Sequence, residues 1–106
     1  MPGTEELRWV GGWEPVSEDA AAPLEAELER EVTRGHPLYG VPVRAVARFG
    51  RGDDVAFELA GGSFAVAHLT WTGKPEPSPG YPSTDLYPTA AALQARFDKD
   101  EEDDAL

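Results

Sequence analysis

Four side chains carry the acid–base and ligand chemistry open to this chain near neutral pH. His36 sits in Gly35-His36-Pro37-Leu38-Tyr39-Gly40, His68 sits in Ala67-His68-Leu69-Thr70-Trp71, and Asp53-Asp54 follow Gly52. Imidazole titrates in the neutral range, and a carboxylate beside it either orients it as a general base or joins it in holding a cation. A small hydrolase or metal-binding enzyme built on His36, His68 and Asp54 is therefore one reading, and it requires the three to converge. Simpler readings stand beside it. A histidine after a helix often caps the last carbonyls, and one in a strand is often a core residue held by a single hydrogen bond. Asp53-Asp54 read as turn residues opening a strand, and one acidic pair is short of the six or more oxygens that calcium takes. No Gly-x-Ser-x-Gly, His-Glu-x-x-His or paired-cysteine motif occurs, and Gly50-Arg51-Gly52 is a hairpin rather than a phosphate loop. The expectation is no metal, no cofactor and, on balance, no enzyme.

Aromatic residues form the second set. Trp9, Trp13, Tyr39, Trp71 and Tyr81 lie among prolines and glycines, a composition suited to rigid contact surfaces, although small domains also spend such residues on their cores. The 106 residues carry 20 Asp+Glu against 9 Lys+Arg, a net charge of −11. That charge argues against nucleic acid as a partner. It favours a protein with a basic surface, whose approach it would accelerate. An immunity-type inhibitor of a basic partner is the concrete form, and a structural homodimer built on Leu69 and Trp71 is the alternative. The chain has no cysteine. It shows neither a basic-then-apolar leader nor an apolar run near the roughly 18 residues of a membrane span, so a cytoplasmic protein is expected.

The elements that must position these residues follow from punctuation and period. Ser17 or Pro23 opens a helix with its stripe on Leu24, Leu28 and Val32, closed by Gly35 and Pro37; Glu25, Glu27, Glu29 and Glu31 are placed mostly on its outer faces. Three strands follow over 41–49, 55–60 and 63–71. A three-residue loop at 50–52 pairs Arg44 with Glu58 and Arg48 with Asp54. A two-residue Gly61-Gly62 turn pairs Leu59 with Phe64, Phe57 with Val66 and Val55 with His68. After the stiff proline loop of residues 73–82 come a short strand at 84–87 and a helix from residue 88 or 89 to Asp98. The predicted fold is α+β: helix, three-stranded antiparallel β-meander, Pro-rich loop, short strand, C-terminal helix. Both helices are expected on one sheet face, leaving the other in need of a cover. Residues 1–16 are read as a flexible or covering segment, 17–97 as one domain, and 98–106, with six acids, as a disordered acidic tail.

The strings Gly35-His36-Pro37-Leu38-Tyr39-Gly40, Asp53-Asp54-Val55-Ala56-Phe57-Glu58-Leu59 and Ala65-Val66-Ala67-His68-Leu69-Thr70-Trp71 resemble those of a family of small uncharacterised bacterial proteins. The likeness spans residues 24–97. That family has no established activity, so the resemblance implies a compact folded unit and singles out His36, Asp54, His68 and Trp71.

Overall fold

The computed structural model describes residues 7–10, 12–50, 53–75 and 80–105. The expectations for residues 1–6, for the loop residues 51 and 52, for the proline run at 76–79 and for Leu106 lie outside the described residues. The fold is α+β, as the sequence implies. Strand β1 (Trp13–Pro15) precedes helix α1 (Glu18–Glu31), then come β2 (Val43–Phe49), β3 (Asp54–Leu59), β4 (Phe64–His68), β5 (Ser83–Tyr87) and helix α2 (Ala90–Ala105). The five strands form one antiparallel sheet in the order β1-β2-β3-β4-β5. The meander therefore has five strands where three and a detached fourth were expected: Trp13–Pro15 pairs with Phe49–Ala47, and β5 pairs along the whole of β4.

Helix α1 starts at the earlier of its two candidate signals. Ser17 Oγ accepts the Ala20 N–H at 3.2 Å, and Glu18 and Asp19 meet the positive end of the helix dipole. Pro23 sits inside the helix rather than opening it. Val32, in extended conformation, ends it before Gly35, which takes positive φ (96°) in the turn beyond.

Two registers differ from expectation, with one consequence. Between β2 and β3 the pairs Val43–Leu59, Arg44–Glu58 and Ala45–Phe57 form as predicted. A bulge at Val46 then shifts the ladder, so that Arg48 opposes Val55 instead of Asp54 and both Val46 and Ala47 enter the same core. Between β3 and β4 the turn takes three residues, Ala60–Gly62, closed by Leu59 N–H to Ser63 O at 2.8 Å. Gly61 and Gly62 both hold positive φ, 82° and 84°, which glycine adopts without a Cβ penalty. The extra residue slides the ladder by one, and a slip of one turns every side chain of a strand to the other face. Phe64, Val66 and His68 thus lie opposite the face of Val55 and Phe57, where the two-residue turn had placed them together.

The sheet consequently has two buried faces. On one, α1 lays Ala21, Leu24 and Leu28 over Ala45, Val55, Phe57, Ala65, Ala67 and Leu69. On the other, Leu93 and Phe97 of α2 join Leu7 and Trp13 over Val46, Ala47, Ala56, Phe64 and Val66. The helices do not share a face: the layers run helix, sheet, helix, and the second face is covered from within the chain. Leu69 is fully buried on the α1 side, which removes it from any homodimer contact. Helix α2 does not stop at Asp98 but continues to Ala105. Two of its acids have partners: Asp98 accepts from Gln94 Nε2 (3.0 Å), and Asp100 accepts from Trp13 Nε1 and Arg96 Nε (both 2.9 Å).

Candidate functional site

One end of the sheet, where β3 begins, β4 ends and β5 begins, gathers most of the chemically active side chains. Asp54, His68 and Ser83 stand in a row across the three strands. The His68 Nδ1–H donates to Asp54 Oδ1 at 2.8 Å, and Nε2 lies 3.9 Å from Asp53 Oδ2. The strands thus assemble a His–Asp pair. The far oxygen of Asp54 is 3.8 Å from Arg96, which α2 holds over this end of the sheet. Arg96 also donates to the Tyr87 hydroxyl (2.8 Å), Asp85 (3.2 Å) and Asp100. Partial burial works against its charge, but the Tyr87 and Asp100 contacts outweigh it and raise the affinity for its proton.

Trp71 lies just beyond β4. Its backbone is left-handed, φ 61°, the one non-glycine residue so placed among those described, and its side chain is 42% exposed. A bulky residue in that region costs about 1–2 kcal/mol. Three contacts hold it. Its N–H donates to Glu31 Oε2 (2.7 Å), its indole Nε1 donates to Asp53 Oδ1 (2.9 Å), and the Arg48 guanidinium lies 5.6 Å from its ring centroid, within cation–π range.

Two buried acids hold the segment around Trp71, Glu31 directly and Glu27 two residues further on. Glu31 also accepts the Thr70 N–H at 2.8 Å, and Glu27 accepts the Gly73 N–H at 2.9 Å and Arg30 at 2.7 Å. Both carboxyls are buried, Glu27 at 3% and Glu31 at 0% exposure, against the expectation that they face outward. Burial pushes the Glu31 pKa up, and its hydrogen bond with Glu27 raises it further. The same bond, with the Gly73 amide and Arg30, lowers that of Glu27. Sequence reading missed this pair, yet the signal is there. Leu24, Glu27, Leu28, Glu31 and Val32 recur at i, i+3, i+4, i+7 and i+8, so the apolar stripe contains both acids.

His36 takes no part in this cluster. It is buried, and its Nδ1 accepts the Leu38 N–H at 2.9 Å, which puts the ring hydrogen on Nε2, donated to Pro82 O at 2.8 Å. Thr84 Oγ1 is 3.2 Å from the same Nε2. Thr84 pairs with Ala67 of the α1-side core, whereas His68, the next residue, turns to the other face. The sheet therefore separates the two histidines, and the trio His36, His68 and Asp54 does not converge. Among the described residues no three His, Cys, Asp or Glu side chains are grouped to hold a metal ion.

The aromatic set divides as well. Trp13 is buried at 1% exposure, stacked on Phe97 with centroids 4.6 Å apart; it is core and not a contact residue. Trp9 is partly exposed beside Phe97. Tyr39 and Tyr81 are half exposed, and the His36–Pro82 bond ties their two loops together. Leu86 of β5 is also exposed. No helix among the described residues is long and apolar enough to cross a membrane. No protein-family model, curated protein or solved structure matches the chain.

Proposed function

We propose that this chain is a non-catalytic, acidic protein-binding module for a partner with a basic surface, an immunity-type inhibitor being its concrete form. The observation that carries the reading is Trp71: a large exposed aromatic held in an unfavourable backbone conformation by a buried carboxylate, a surface carboxylate and an arginine. Strain of this kind persists where a surrounding structure imposes it, and it clusters at ligand clamps. A tryptophan ordered in advance loses little entropy on contact, which is what makes aromatic anchors dominate interfaces. Tyr39 and Tyr81 are further exposed aromatics, and Asp53 and Asp54 supply negative charge at the Trp71 end of the sheet. A hydrolase reading keeps only the His68–Asp54 pair of its three residues.

The test is a titration with size-matched small proteins of positive and of neutral net charge at low salt. Cationic proteins should bind, with affinity falling steeply as salt is added, and Trp71→Ala should weaken binding more than about tenfold. Equal affinity for cationic and neutral proteins at low salt would refute the reading.

A further inference from the structure

We propose that the edge of β2 from Val43 to Ala45 is a strand-addition site, and that the basic partner fills it with an extended segment carrying cationic side chains at alternate positions. This rests on the basic-partner reading above and adds a second, separate contact to the one at Trp71.

Strand β1 pairs only with residues 47–49 of β2, and the chain leaves that edge through the Val16 N–H to Val46 O bond. Beyond it, the Ala45 N–H points away from β3 and meets a side chain, Glu25 Oε2 of α1, at 2.9 Å. Backbone groups alternate along a strand, so the Val43 N–H and C=O point the same way as the Ala45 amide. The edge thus offers the groups that a neighbouring strand would pair, with one of them occupied by a carboxylate in the place of a strand carbonyl.

Room for a strand exists beside it. Two grooves, of about 530 and 430 Å³, run along α1 against this edge. They share Ala22 and Glu25, and the Glu25 side chain reaching to Ala45 stands between them. When Glu25 swings off the amide, the two become one trough alongside α1, a helix about 20 Å long, which takes about six extended residues. Apolar side chains such as Ala26, Val32 and Val41 line it, while Glu18, Glu25 and Glu29 set its charge against the single cation Arg44. That complementarity selects a basic segment.

The experiment follows backbone amide shifts of the intact protein at low salt during titration with the synthetic hexapeptide Lys-Val-Lys-Val-Lys-Val. Two further peptides carry N-methyl groups at alternate residues, one in each phase, so that each blocks one edge of the peptide and leaves its charge unchanged. Strand addition predicts shifts at Val43, Ala45 and residues 22–29. It also predicts that one methylated peptide loses tenfold or more in affinity while the other binds like the parent. Equal behaviour of the two methylated peptides, whether both bind or both fail, overturns the site, as does absence of any shift at the β2 edge. Shifts confined to Asp53, His68 and Trp71 overturn the strand-addition site while leaving the basic-partner module standing.

Discussion

Glu31 accepts hydrogen bonds from two consecutive amides, Thr70 and Trp71, from a position with no solvent exposure. Hydrogen bonds contribute about 0.5–1.5 kcal/mol net each, so the two together match the strain of the Trp71 backbone and hold its conformation. Exposed pairs work on a smaller scale. Arg44–Glu58, at 2.7 Å across β2 and β3, is solvent-facing on the arginine side and contributes at most about 1 kcal/mol. Glu31→Gln replaces one acceptor by an NH2 group facing an amide donor. The expected result is a loss of about 1–3 kcal/mol in a urea melt and faster hydrogen exchange at Thr70 and Trp71. Unchanged exchange at those two amides would show that Glu31 does not hold the loop.

At the scale of elements, α2 tests where the acidic end begins. Truncation after Asp98 removes Asp100 and leaves the Trp13 indole N–H and the Arg96 Nε without that acceptor. It should cost about 2–4 kcal/mol in thermal or urea unfolding, whereas truncation after Glu101 should stay within about 0.5 kcal/mol. Equal effects would place the end of the folded unit elsewhere. The sequence carried the identity of the elements well, because Ser17, the Leu24–Leu28–Val32 stripe and the alternation over 43–49 are local signals. It also carried the Arg44–Glu58 register, where charge and apolar pattern agree. It did not carry the bulge at Val46 or the third residue of the Ala60–Gly62 turn. Both are choices between ladders one residue apart, and alanines at 45, 47, 56, 65 and 67 fit either sheet face. The site suffered accordingly: one residue of register turned His68 from the company of Val55 to that of Asp54. The burial of Glu27 and Glu31 is legible in the helix stripe, but what they bind is not, since the amides that donate to them lie 39 and 46 residues away in the chain.

For the whole molecule, acidity acts in two ways that pH and salt separate. Because the folded pKa of Glu31 is raised above the ordinary 4.5, the native state holds a proton that the unfolded chain has released. Stability from this group therefore grows as pH falls through the raised value and is lost as pH rises. Glu27 is lowered, so its contribution is present above 4.5 and disappears in stronger acid. The melting temperature should rise as pH falls from the alkaline side towards the carboxylate range and drop again in stronger acid. General repulsion among the net −11 gives a similar rise, but salt screens it and leaves the buried pair untouched. A rise that persists in high salt and is flattened by Glu31→Gln identifies the pair; one abolished by salt would assign it to surface charge. The Trp13–Phe97 stack and the Trp13–Asp100 bond have a consequence for biosynthesis. During translation the α1-side layer has all its parts once β4 and Leu69 have emerged, whereas Trp13, already beside Phe49 of β2, gains Phe97 and Asp100 only when α2 clears the ribosome. The second layer therefore closes later in synthesis than the first, and until then the tryptophan lacks the ring it stacks on.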